Sequence, residues 1–220
     1  AASDVYKRQI PERLQKTLMS AMGVSVLFVG VSGALSQMLR AGGRALTVQG
    51  TMMMILSLAI GAVLGELLDL EDRMERFGAW LKVKTKSESD GGFIGAFVTA
   101  SLTVCIGAMA IVGSIQDGIL GDHATLFAKA VLDLVIIMVM TASMGKGCIF
   151  SAIPVGILQG SVTLLARLLQ PVFTDAALSN LSLVGSVLVF CVGLNLVWGK
   201  KIRVANLLPS LLIAVIWAFL

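Results

Sequence analysis

Apolar residues run along this chain in blocks of roughly twenty, each closed by a short polar stretch. A bilayer core about 30 Å thick is crossed by about 20 helical residues rising about 1.5 Å each, so these blocks predict transmembrane helices. Seven windows qualify: Leu18 to Leu39, Gly50 to Leu68, Phe93 to Ile115, Ala124 to Met144, Gly147 to Leu169, Leu181 to Trp198 and Val204 to Leu220. The last is short at its start and contains Pro209, which predicts a bent or re-entrant element. The predicted fold is all-α, a polytopic transmembrane helix bundle.

Ahead of the first window, Ile10-Pro11-Glu12-Arg13-Leu14 places proline at a first helical position and an acid in the first turn, a common helix start. Residues 1–9 lack both a starting Met and an apolar core, so they form no signal peptide and look like junction sequence. Residues 10–220 then make one transmembrane domain. Its longest polar interruption, 69–92, opens with Leu70, Met74, Phe77 and Leu81 at helical spacing among Glu71, Asp72, Arg73, Glu75 and Arg76. Such a stretch can lie along the membrane surface. A solvated loop with salt-bridged charges is the favoured expectation, and Val83 to Gly92 reads as a flexible linker.

Composition agrees with the pattern. Of 220 residues, 57% are hydrophobic and 14% charged, against roughly a quarter charged in soluble domains. The net charge of +4 does not point to nucleic acid, because the basic residues sit between apolar blocks and favour alternate loops. One side holds Lys7, Arg8, Arg13, Lys16, Arg73, Arg76, Lys82, Lys84, Lys86, Lys146, Lys200, Lys201 and Arg203; the other holds Arg40, Arg44 and Arg167. By the positive-inside rule the richer side is cytoplasmic, which puts the C-terminus outside and Trp198 at the inner interface. Cys105, Cys148 and Cys191 stand singly without a CxxC pair and read as small core residues. His123 is the sole histidine, which excludes a His-rich metal site; no metal or cofactor is expected.

Charge inside an apolar block is the sharpest chemical signal. Lys129 and Asp133 are four apart in the Ala124 to Met144 window, one above the other on a helix face. An ionised group there costs roughly 2.5–3.5 kcal/mol on insertion scales, so such residues face the protein interior and often mark a pathway. Asp133 lies ~13–14 Å into its span, near the midplane, whereas Lys129 is shallow enough to snorkel outward. A midplane carboxylate can exchange a proton or hold a cation, or it can form a static buried pair with Lys129. The sequence leaves both open. Gln159 and Asn195 are uncharged groups that can line a polar path, although interhelical hydrogen bonding is the more frequent use of such residues. Outside, Asp117, Asp122 and His123 cluster in a turn suited to cation binding or acid–base work; a capped, solvated turn is favoured. Gly61/Gly65 and Gly156/Gly160 have helix-packing spacing and admit association of copies through glycine-rich faces. Glycines also interrupt the spans at Gly30, Gly33, Gly107, Gly113 and Gly193, as in broken transporter helices. Tight packing uses the same residues and is slightly favoured.

The motifs Pro11-Glu-Arg-Leu, Gly65-Glu66 through Asp72-Arg73, Gly107 through Ser114, Gly121-Asp-His, Ala128-Lys through Asp133, Gly193-Leu-Asn-Leu and Asn206-Leu-Leu-Pro209 resemble the YdfK/YqgA family. These are uncharacterised bacterial inner-membrane proteins, also called domain of unknown function 554. The resemblance implies no established catalytic or binding residue. It does imply a glycine-rich helix ahead of Pro11, so the chain reads as truncated by one helix, with eight spans if restored. The expected function is transport of a small solute or ion across the bacterial inner membrane, coupled to protons or cations through Asp133. A non-transporting binding or regulatory protein is the alternative, and no enzyme activity is expected.

Overall fold

In a computed structural model, residues 12–42, 45–84, 91–105, 110, 113–114, 117–118, 121, 123–169 and 174–220 are described. The apolar blocks fold as helices. They are α1 (Glu12–Met38), α2 (Thr51–Leu68), α3 (Leu70–Lys84), α4 (Phe93–Cys105), α5 (Ala124–Met144), α6 (Ala152–Leu169), α7 (Asp175–Trp198) and α8 (Pro209–Ile216). Short 3-10 turns at Lys146–Ser151 and Val204–Leu207 lead into α6 and α8. One departure from the all-helical expectation is a two-stranded antiparallel hairpin, β1 (Leu39–Gly42) with β2 (Ala45–Val48), which closes the turn from α1 to α2.

The count of seven full spans is not reproduced. Among the described residues, Thr51–Leu68, Lys146–Ala166 and Asp175–Trp198 are long and apolar enough to cross a membrane, while Gly23–Met38, Phe93–Cys105 and Val204–Phe219 are apolar but shorter. The third window contributes α4, Phe93–Cys105, and most of its remaining residues lie outside the described ones. In the last window Pro209 occupies the first helical position of α8, where its missing N–H loses nothing, and 3-10 turns flank the helix on both sides.

Glycine decides which helices touch. A Cβ on Gly30 of α1 would lie 2.6 Å from the Phe190 backbone nitrogen, one on Gly23 would meet Val197, and one on Gly193 would lie 2.7 Å from the Leu27 nitrogen. α1 and α7 therefore run antiparallel with their backbones nearly in contact. Both pass unbroken through these glycines, so Gly30, Gly33 and Gly193 serve packing rather than helix interruption. Gly61 and Gly65 of α2 meet Ser210 and Asn206 in the same manner. Gly156 and Gly160 have open space where a Cβ would point. The innermost core forms around α4, whose Phe93 and Phe97 are wholly buried beside Met140, Val184 and Leu188.

At the end of α2, Asp69 takes left-handed backbone angles, φ 49° and ψ 51°, and its N–H returns to the Glu66 and Gly65 carbonyls. The chain turns sharply there into α3. Leu70–Lys84 of the stretch favoured as a solvated loop is thus a helix packed on α4, with Gly78 seated against the Phe97 ring, while residues 85–90 of the expected linker lie outside the described residues.

Candidate functional site

Lys129 and Asp133 meet as their spacing on α5 predicts. The lysine is 7% exposed. Its Nζ donates to the Asp133 carboxylate and, at 2.9 Å, to the Val104 carbonyl in the last turn of α4. The ammonium is thus held between a carboxylate and a backbone carbonyl, both of which accept from it. Lys129 is therefore turned inward and held, rather than snorkelling outward. Asp133 is less enclosed: it lines a cavity of about 360 Å³ between α4, α5 and α6, where Ser151 and Gln159 also contribute. Two of the residues singled out from sequence, Asp133 and Gln159, thus share one cavity, with Lys129 behind the carboxylate. Remaining walls such as Leu134, Ile137 and Val155 are apolar.

Asn195 does not join them. Its Oδ1 accepts from the Lys201 and Ile202 backbone nitrogens, both at 2.9 Å, and its Nδ2 donates to the Ile202 carbonyl at 2.7 Å. The amide is spent on the turn that follows α7. At the polar turn before α5, the Asp117 carboxylate and the His123 ring are hydrogen-bonded partners, and the Gly121 N–H donates to the Asp117 carbonyl at 3.0 Å. Asp122 lies outside the described residues. Among the described residues no group of three His, Cys, Asp or Glu is placed to hold a metal ion.

A second polar centre was not anticipated. Glu71, in the first turn of α3, is 4% exposed. One of its carboxylate oxygens accepts from the Ala205 N–H at 2.9 Å, and the other pairs with Lys200 at 2.9 Å. The Glu71 N–H donates to the Asn206 Oδ1 at 2.7 Å. Asn206 Nδ2 in turn donates to Glu66 at 2.6 Å, and Arg203 pairs with the other Glu66 oxygen at 2.7 Å. Glu75 also pairs with Lys200. Partial burial pulls the Lys200 pKa down, but hydrogen bonds and charges from Glu75 and Glu71 outweigh it and hold the amine above its ordinary value. The corner thus fastens the end of α2 and the start of α3 to the segment that enters α8. Its residues lie in two of the sequence motifs, Gly65 through Arg73 and Asn206 through Pro209. Their meeting across about 135 positions leaves no trace in local periodicity.

Comparisons with known proteins complete the picture. The profile of a family described as "Protein of unknown function (DUF554)" matches residues 4–219. The chain is similar to "Uncharacterized membrane protein YdfK" of Bacillus subtilis (strain 168), with 31% identity over 209 residues, covering 95% of this chain and 85% of the relative. It is also similar to "Uncharacterized protein YqgA" of Escherichia coli (strain K12), with 27% identity over 216 residues, covering 96% and 86%. No solved structure matches the chain.

Proposed function

This chain belongs to the DUF554 family, and from that premise we propose that it is a transporter which moves a small solute or ion across the bacterial inner membrane and is coupled to protons or cations through Asp133. The observation that carries the reading is the shared cavity: an intramembrane carboxylate and a glutamine amide face the same space, with a buried lysine as the carboxylate's partner. With Asp133 ionised, it and Lys129 are jointly neutral. When a proton or cation takes the carboxylate, Lys129 keeps the Val104 carbonyl and supplies a positive charge that disfavours a second cation. Loading and release at Asp133 would then be tied to the state of one ion pair.

The positive-inside count supports an orientation with residues 69–92 in the cytoplasm and the C-terminus outside. If copies associate, Gly156 and Gly160 on α6 offer the glycine face left open, since Gly61 and Gly65 are already filled by Ser210 and Asn206. No catalytic residue is assigned.

A non-transporting membrane protein is the second reading, favoured by the fact that Lys129 finds both of its partners within the protein. Flux separates the two. Purified protein in pyranine-loaded vesicles, given Na⁺ or K⁺ gradients, should move protons or cations, and Asp133→Asn should abolish the flux. Asp133→Asn combined with Lys129→Gln removes both desolvation penalties, so it should insert normally yet stay inactive. Normal insertion with wild-type flux in the double variant sinks the coupling reading and leaves a structural pair.

A further inference from the structure

The helix α3 buries the wrong face for a simple amphipathic helix. Its apolar stripe in the sequence runs through Leu70, Met74, Phe77 and Leu81, yet the side pressed on the protein carries Glu71, Met74 and Gly78. The packed face overlaps the apolar one at Met74 and is rotated to one side of it. Consequently Phe77, Trp80 and Val83 remain 38%, 54% and 62% exposed. In a membrane-spanning helix such exposure meets lipid tails, but α3 follows a span across the left-handed turn at Asp69 and does not continue its direction.

The rest of that exposed side is basic. Arg73, Arg76 and Lys84 are exposed with the three apolar residues, and at about 100° per residue all six fall within an arc of about 120°. Phe77 stacks on Trp80 with ring centroids 5.8 Å apart, and Phe77 also touches the buried Phe97 ring at 5.8 Å. The Lys84 amine lies 5.7 Å from the centre of the Trp80 ring. Of the neighbouring acids, Asp72 pairs with Arg76 at the edge of the arc, whereas Glu71 and Glu75 are turned to Lys200 on the packed side. The exposed arc therefore carries net positive charge around an aromatic pair braced on the core.

We propose that this arc of α3 is a binding surface for anionic phospholipid headgroups of the bilayer that the neighbouring helix α2 enters. The aromatic rings and Val83 sit at the headgroup boundary, while Arg73, Arg76 and Lys84 reach phosphate oxygens above them. Charge selects the lipid, since each basic residue near an anionic surface favours it roughly fivefold. A helix anchored so would hold the polar corner at Glu71 and Lys200 at a set depth beside the membrane. The assignment is independent of whether the protein transports anything.

The test uses the full chain in nanodiscs of phosphatidylcholine alone or with phosphatidylglycerol. Trp198→Phe and Trp217→Phe leave Trp80 as the only tryptophan. Its emission should be blue-shifted and shielded from aqueous iodide in the phosphatidylglycerol discs, and less so in phosphatidylcholine. As a second measurement that needs no tryptophan replacement, phosphatidylglycerol added to the detergent-purified wild type should raise its Tm more than phosphatidylcholine does. Arg73→Gln, Arg76→Gln and Lys84→Gln together should remove that difference. Iodide reaching Trp80 equally in both discs, or equal stabilisation by the two lipids, overturns the proposal. Shielding of Trp80 in lipid-free micelles at the mass of two copies also overturns it, and assigns the arc to a second copy.

Discussion

Replacing Glu71 tests whether the corner between α2, α3 and the entry to α8 holds the molecule together. In Glu71→Ala the Ala205 N–H loses its acceptor in a buried setting, which costs about 1–3 kcal/mol. A favourable acid in the first turn of α3 is lost as well, worth about 0.3–1 kcal/mol. Lys200 is 54% exposed along its side chain and keeps Glu75, so its share is small. The sum centres on about 3 kcal/mol, and at about 2–4 °C per kcal/mol for a chain of this length the midpoint should fall by about 6–12 °C. Glu71→Gln keeps an oxygen for Ala205 and loses the negative charge, both in the first turn of α3 and toward Lys200, so its midpoint should fall by about 2–4 °C. The bond from the Glu71 N–H to Asn206 is made by backbone and survives in both variants. Thermal unfolding in detergent, followed by fluorescence of a thiol-reactive dye at buried Cys148, reads the difference. If alanine and glutamine lower the midpoint equally, the Ala205 acceptor is not what matters; if neither lowers it, the corner is not stabilising.

Gly65→Ala should reduce folded yield and stability, because its Cβ would fall on the Asn206 carbonyl, while Gly156→Ala should be neutral in the same unfolding assay. The raised pKa of Lys200 gives a signed pH effect: its contribution is complete below the ordinary lysine value of 10.5 and is lost as pH rises through the higher folded value. Stability of the wild type should therefore fall more steeply above pH 10.5 than that of Lys200→Gln, as read from denaturation midpoints across that range. Asn195→Ala should loosen the turn at Lys201 and Ile202, and faster amide exchange confined to residues near that turn would confirm it.

Helix positions were legible in the sequence wherever a span is continuous. The second and fourth windows match α2 and α5 to within a residue, because length and apolarity alone dictate them. The pair on α5 was legible too, since i and i+4 neighbours meet on any helix. Contacts between distant segments were not. Glu71 looked like one charge among many on a polar stretch, and only the approach of Ala205 and Lys200 makes it a buried hub. Asn195 lines the cavity beside Glu71, Glu75 and Lys200, but an isolated amide in an apolar block carries no mark of the turn that it clamps. The glycines were ambiguous for a similar reason. Packing and interruption require the same residue, and only the neighbouring backbone tells Gly30 from a break.

The corner also imposes an order of events on biosynthesis. Glu71 and Asn206 are 135 positions apart, and at roughly 5–20 residues per second the ribosome needs roughly 7–27 s to go from one to the other. Throughout that interval the chain lacks Asn206, Lys200 and Ala205, so Glu71 has neither its backbone donor nor its lysine. The corner can close only once the residues from Lys200 to Asn206 have been made.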